Sequence, residues 1–338
     1  MTSRHLLDPD LHAFVEAFGT LNLSDAAVPV VRAQRQPVLG DASAVGVDRR
    51  EVSIPRGDED GAVRALLYVP SGQDASAGQD TAGQDSSGPQ SAGKRPAYLH
   101  LHGGGYLFGS PEASDARNLE LAATLGIIVL SVAYRLAPEH PVPAGLNDAF
   151  AAVAWLHDEA ETLGVDPERI AIGGESAGGG LAAALALKAR DDGRYAICHQ
   201  HLTYPMLDDR TGSDASPGDP LLGEYVWTRA SNRFAWSRYL GESPPQAPWV
   251  PARATMLEGL PSTWLLTGAL DLFLDENLAW ARRLLAAGVP TDLSVYAGAC
   301  HGFQLAPGTR LAERYAADHR RGLAQALGVT LPDSRRGG

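Results

Sequence analysis

The sequence predicts an α/β protein built on a doubly wound, mostly parallel sheet with a helical cap set into it. Three observations carry that reading. From Ala97 onward, short apolar runs alternate with helical patterns, as in a parallel sheet covered by helices. The rhythm breaks between about Pro205 and Pro251, where the chain turns loop-rich and then aromatic. Composition is that of an ordinary globular chain, with 44% apolar and 20% charged residues over 338 positions. At ~150 residues per domain, this length suits two domains or one α/β domain carrying an insertion.

Taken in order, Leu7, Leu11, Phe14, Val15 and Phe18 recur at helical spacing and predict one amphipathic helix. An irregular, Pro-containing stretch follows to about residue 45, then strand candidates at 51–55 and 63–69. The segment 71–94 contains no Val, Ile, Leu, Met or aromatic residue and repeats Gly-Gln-Asp from Gly72, Gly78 and Gly83. It has too little apolar area to offset its ordering entropy, which predicts a low-complexity surface loop. A strand at 97–101 runs into His102-Gly103-Gly104-Gly105. Next come a helix at 115–125 closed by Gly126 and a buried strand at 127–134. Ala149, Val153 and Leu156 share one helical face in a segment ending near Gly164. A short strand at 169–172 leads into Gly173-Gly174-Glu175-Ser176-Ala177-Gly178, and Leu181 and Leu185 mark the helix after it. Another strand falls at 202–204. In the interruption, Tyr225, Trp227, Phe234, Trp236 and Tyr239 either anchor helices to a core or line an apolar cleft. The rhythm resumes with a strand at 263–267, a helix at 276–286, a strand at 293–297 and a last helix at 309–327.

Charge excludes several classes. Lys+Arg is 28 against 40 Asp+Glu, a formal charge of −12. Such a surface repels phosphate backbones and anionic lipid, which argues against nucleic-acid or membrane binding. The longest apolar run, 126–134, falls far short of the ~20 residues of a bilayer span, so no stable membrane insertion is expected. Residues 1–14 contain no apolar signal-peptide core. Cys198 and Cys300 make no disulfide framework and no CxxC. A cytoplasmic location is the expectation.

The strongest chemical signal is Gly174-Glu175-Ser176-Ala177-Gly178, a G-x-S-x-G pattern between a predicted strand and a predicted helix. A serine hydroxyl is a weak nucleophile unless exposed, aimed and deprotonated by a neighbouring base. A sharp strand-to-helix turn exposes Oγ, and the helix N-terminus favours a developing anion. Ser176 is the predicted nucleophile. The rival reading is dinucleotide binding, because Gly178, Gly180 and Ala183 match G-x-G-x-x-A. That match starts inside the helix rather than in the turn that must approach a pyrophosphate, and no P-loop Lys follows. His102-Gly103-Gly104-Gly105 after a strand predicts backbone amides aimed at a carbonyl oxygen, as in lipases and esterases. His102 braces this loop. The pairs His100/His102 and His199/His201 lack a third ligand at metal spacing, so no metal site is expected. The base and its orienting acid should follow the serine in the order Asp, His. His301, after the last strand, is the predicted base. Asp271 and Asp275 compete as the acid; Asp271 sits just past a strand and is chosen, with Asp275 as the next helix's N-cap. Glu175 stays open between tuning the site and pairing with a buried group.

These residues resemble the hormone-sensitive-lipase-like branch of bacterial carboxylesterases with an α/β-hydrolase fold. The matching stretches are His102 to Tyr106, Tyr134 to His140, Gly174 to Gly179, Leu270 to Glu276 and His301 to Phe303. The resemblance implies a triad of Ser176, Asp271 and His301. It also implies oxyanion-hole donors from Gly104, Gly105 and the Ala177 amide, with Gly103 shaping the loop. A cap would combine residues 1–45 with 205–251, leaving 46–204 and 252–330 as the catalytic domain. The chain departs from the pattern in three places. Leu272 stands where many relatives have proline, Glu175 replaces the usual aspartate, and the 71–94 loop is long. The expected activity is hydrolysis of short- to medium-chain acyl esters, small-molecule substrates, through an acyl-enzyme with no metal or other cofactor. Alternatives are an amidase or formamidase acting on an N-acyl substrate and a non-catalytic small-molecule receptor. Family analogy also offers a homodimer through an edge strand.

Overall fold

The computed structural model describes residues 2–34, 39–57, 61–71 and 93–331. The 71–94 loop therefore lies, apart from its ends, outside the described residues. The strands are β1 (Val47–Pro55), β2 (Ala62–Pro70), β3 (Arg95–Leu101), β4 (Ile128–Ala133), β5 (Val165–Glu175), β6 (His199–Thr203), β7 (Ser262–Gly268) and β8 (Thr291–Tyr296). They form one sheet in the order β1-β2-β4-β3-β5-β6-β7-β8. β2 runs antiparallel to both β1 and β4, and the remaining pairs are parallel. The helices are α1 (His12–Phe18), α2 (Ala27–Gln34), α3 (Asp115–Leu125), α4 (Ala144–Asp158), α5 (Ala160–Leu163), α6 (Ala177–Asp192), α7 (Arg229–Leu240), α8 (Leu274–Ala286) and α9 (Arg310–Leu327).

Side chains alternate across a strand, and here both faces are apolar. Leu99 and Leu101 of β3 share a core with Val153 of α4, Leu185 of α6 and Leu284 of α8. Tyr98, one position before Leu99 and so on the opposite face, joins Leu119 of α3 and Leu323 and Leu327 of α9 in a second core. The result is the predicted doubly wound arrangement. A third cluster sits at one end of the sheet, where Leu7, Leu11 and Val15 pack with Tyr204, Val226, Leu270 and Phe303. The insertion meets the N-terminal segment directly: Ser231 Oγ donates to Leu21 O at 2.5 Å, and Arg238 pairs with Asp25 at 2.6 Å.

The structure corrects four local expectations. The helix foreseen over Leu7 to Phe18 is broken, with a 3-10 turn at Pro9–Leu11 ahead of α1, because Pro9 supplies no amide for a continuous helix. The stretch after it is not all irregular, since α2 forms there with Pro29 in its first turn. β5 is longer than 169–172. It skips residues at a register shift near Arg95 and runs on through Gly173 and Gly174, which pair with His201 and Leu202. Asp275 is not a cap: the N-cap of α8 is Phe273, and Asp275 lies exposed in the first helical turn.

Candidate active site

β5 passes into α6 through Ser176 alone, at φ 56° and ψ −120°. Such backbone strain costs about 1–3 kcal/mol and persists only where neighbours fix it. Here the Ser176 amide donates to Thr203 O at 2.9 Å, and its carbonyl accepts from Gly180 N at 2.9 Å and Met206 N at 3.0 Å. The flanking glycines are set by space. A Cβ on Gly174 would lie 2.1 Å from Leu101 O, and one on Gly178 would lie 2.0 Å from the same atom. A Cβ on Gly180 would lie 2.0 Å from Met206 O. The missing side chains of the G-x-G-x-x-A pattern are thus filled by the chain's own backbone, which leaves no room for a phosphate.

Asp271 and His301 arrive on the loops after β7 and β8, which are knit together. Ala269 N donates to Tyr296 O and Leu270 N to Ala299 O, both at 2.9 Å. Asp271 is fully buried; Oδ1 accepts from Phe273 N at 2.9 Å, which leaves Oδ2 to accept from His301 Nδ1 at 2.8 Å. With Nδ1 donating, Nε2 is the acceptor of the ring, and it faces Ser176 Oγ at 2.9 Å. The edge of the Phe273 ring and the rings of Tyr204 and Trp227 surround the imidazole. The three residues singled out by sequence are brought together. Leu272 packs instead against Gly223, where a Cβ would lie 2.8 Å from its Cδ1.

The glycine loop follows β3. Tyr134 OH donates to His102 O at 2.7 Å, and the His102 ring stacks on Tyr134 with centroids 4.3 Å apart. Burial brings the His102 imidazole down to about 4, so it stays neutral in the fold. Gly104 and Gly105 take φ of 124° and 60°. A Cβ would clash with Phe108 O at 2.1 Å in the first case and with the Trp227 ring at 2.3 Å in the second. Among the described residues, no backbone carbonyl accepts from the amides of Gly104, Gly105 or Ala177.

Glu175 pairs with a buried group. Arg117 of α3 lies 2.7 Å from its Oε1, and His100 Nε2 lies 3.2 Å from its Oε2. Burial raises the carboxyl, yet Arg117 and His100 outweigh it and hold Glu175 down at about 2. Arg117 extends the network to Ser114 Oγ and the Tyr315 hydroxyl. A sequence search had no reason to select Arg117, since its partner lies 58 positions further along the chain.

Over Ser176 and His301 opens a cavity of about 860 Å³, bounded by Gly103–Gly105, Phe18, Leu21, Val226, Trp227 and Leu305. The aromatics of the insertion divide their tasks. Trp227 borders the cavity, whereas Trp236 and Tyr239 pack on Tyr106. A serine hydroxyl hydrogen-bonded to an oriented imidazole, beside a cavity and amides with no backbone acceptor among the described residues, is an arrangement suited to acyl transfer.

The sequence pattern of the alpha/beta hydrolase fold matches residues 98–305. The chain belongs to the α/β-hydrolase fold family. It is 37% identical over 213 residues to Esterase LipI of Mycobacterium tuberculosis, covering 62% of this chain and 65% of that protein. Carboxylic ester hydrolase LipN of the same organism is 36% identical over 268 residues, 77% of this chain and 65% of LipN. The chain thus spans just under two thirds of the length of these relatives. Among solved structures, a bacterial heroin esterase superposes with a TM-score of 0.81 at 37% identity, over 96% of this chain and 98% of that one. Esterase LipW from Mycobacterium marinum gives 0.77 at 31% identity, over 96% of each chain. These relatives bear out the resemblance to hormone-sensitive-lipase-like esterases, and no helix among the described residues is long and apolar enough to cross a membrane.

Proposed function

We propose that this α/β-hydrolase is a serine carboxylesterase acting on short- to medium-chain acyl esters. The observation that carries the reading is the line from Ser176 Oγ to His301 Nε2 at 2.9 Å and from Nδ1 to Asp271 Oδ2 at 2.8 Å, beneath the cavity. Ser176 Oγ attacks the ester carbonyl carbon as its proton passes to His301 Nε2. Asp271 holds the ring tautomer and stabilises the imidazolium. The amides of Gly104, Gly105 and Ala177 stabilise the oxyanion, where one such donor is worth about 3–4 kcal/mol. His301 then protonates the leaving alcohol. Water repeats the sequence on the acyl-enzyme and releases the acid. The chemistry needs no metal or other cofactor.

In this reading residues 46–204 and 252–330 are the catalytic domain, and 1–45 with 205–251 form a two-part cap. Support comes from the bonds between the parts: Ser231 to Leu21, Arg238 to Asp25, and Ser3 N to Glu224 at 2.5 Å. The outer edge of β8, with Leu293 and Val295 40% and 42% exposed, is our candidate for a homodimer contact. A monomer in sedimentation at micromolar concentration would rule it out. Free Cys198 and Cys300 suit a reducing cytoplasm, which cell fractionation would check.

The deciding experiment is hydrolysis of p-nitrophenyl esters from acetate to palmitate, in parallel with Ser176→Ala. The expectation is a maximum at short or medium chains and a loss of about 10⁴-fold or more in kcat for the variant. A loss under about tenfold would remove Ser176 as the nucleophile.

A further inference from the structure

The glycine loop is strained beyond its glycines. Gly104, Gly105 and Tyr106 take φ of 124°, 60° and 63° in succession. Glycine adopts such values freely, whereas tyrosine does so against its Cβ. A segment of this kind keeps its shape only where its surroundings over-determine it. One flank is held by the Tyr106 side chain. Its ring stacks on Tyr239 with centroids 3.8 Å apart, and its hydroxyl donates to Met206 O at 3.2 Å.

The other flank is held from the N-terminal segment. Arg32, on α2, donates from Nε to Leu107 O at 2.7 Å and from Nη2 to Ala137 O at 2.9 Å. Glu139 receives both terminal nitrogens, at 2.8 and 3.0 Å, and fixes the plane of the guanidinium. Ala137 N in turn donates to Tyr106 O at 3.0 Å, so the guanidinium closes a ring of bonds around Tyr106–Leu107. Leu107 N and Phe108 N both return to Gly104 O, at 3.0 and 3.1 Å, which carries the constraint into the glycines. Leu107 and Ala137 are buried, and removing Arg32 takes a donor from the carbonyl of each.

We propose that Arg32 is a positioning residue for the reaction: it holds the Gly104–Leu107 backbone in the conformation that presents its amides to the oxyanion. The inference rests on the ester-hydrolase reading above. Acting through the loop, Arg32 bears on the step in which charge builds. It also borders the cavity over Ser176, so a change confined to KM would assign it to substrate binding and overturn the proposal.

The test compares Arg32→Met, Arg32→Lys and Asp25→Ala with the wild type on p-nitrophenyl butyrate, together with amide hydrogen exchange over 102–109. Lysine keeps a charge opposite Glu139 but lacks the fork that reaches two carbonyls at once. Asp25 tethers the same N-terminal segment through an exposed ion pair with Arg238 of α7. Arg32→Met should lower kcat about tenfold or more with KM within about threefold, because a small misplacement of a donor is costly. Exchange at Leu107 and Phe108 should quicken. Arg32→Lys should show the same pattern, and it carries the test if the methionine variant does not fold. Asp25→Ala should keep kcat within about twofold of the wild type, as removal of a single exposed ion pair does. Wild-type kcat in Arg32→Lys, or an equal loss in Asp25→Ala, would overturn the proposal. A wild type that hydrolyses no ester would remove the functional reading instead. The exchange rates alone would then decide whether Arg32 braces the loop, unchanged rates refuting it.

Discussion

The Ser176 turn and the glycine loop stand side by side, both bent through positive φ, and they are held by different means. The turn is fixed by main chain. A strand enters it, a helix leaves it, Thr203 and Met206 bond to it, and Gly174 and Gly178 press against the Leu101 carbonyl. The loop has backbone bonds of its own, at Gly104 O and from Ala137 N, but it also leans on side chains from afar: Arg32, Tyr239 and Trp227. Neighbours made of backbone cannot yield, while side chains can shift at modest cost. The geometry of Ser176 is thus built into the sheet, and that of the glycine loop depends also on the N-terminal segment and the insertion.

A pair of alanine substitutions tests this contrast. Gly178→Ala meets two carbonyl oxygens, at 2.0 and 2.5 Å, and the start of α6 must leave β3. We expect a stability loss of about 3 kcal/mol in urea unfolding, with activity lost alongside. Gly105→Ala meets the Trp227 ring at 2.3 Å and must hold a left-handed φ. It should cost only about 1 kcal/mol of stability while kcat falls about tenfold. Equal destabilisation by both would break the comparison.

Acid should separate the two regions by a smaller effect. The folded value of His102, about 4, lies below the ordinary 6.5, so the folded chain binds fewer protons than the unfolded one between those limits. Stability therefore falls as pH drops from about 6.5 to about 4. Buried His199, at about 4, and His319, at about 3, act in the same direction. Glu175, on the other side of the site, stays ionised in the fold until about 2. Its contribution fades only as pH falls below about 4.5. Urea midpoints at pH 7, 5.5 and 4.5 should decline in that order, and His102→Asn should flatten the decline. Midpoints that do not change with pH would show that these histidines are not buried neutral.

The sheet and the Ser176 turn were legible because their causes are local in sequence. Strand, glycine, serine, glycine and helix follow one another, and Gly126 closes α3 at the predicted residue. Asp271 and His301 were legible as positions after strands. What stayed hidden was set by contacts across the chain. Arg32 reaches Leu107 from 75 residues away, and Glu175 meets Arg117 only through the folded sheet. β5 ran past its apparent end because Gly173 and Gly174 read as turn residues. Their lack of side chains instead lets neighbouring strands close in, a Cβ on Gly173 falling 2.3 Å from His201 O. The N-terminal segment misled because Pro9 breaks a helical pattern that apolar spacing alone would continue.

The conformation of Tyr106 carries a consequence for the protein's economy of design. Its left-handed backbone is a standing cost of about 1–3 kcal/mol to the folded state, incurred once, when the chain folds. Under the proposed mechanism, reorganisation that water would have to undergo at every turnover is thereby completed in advance. Stability and rate are set against each other at this residue. A descendant selected only for heat resistance should relax the loop here first, and grow slower as it grows tougher.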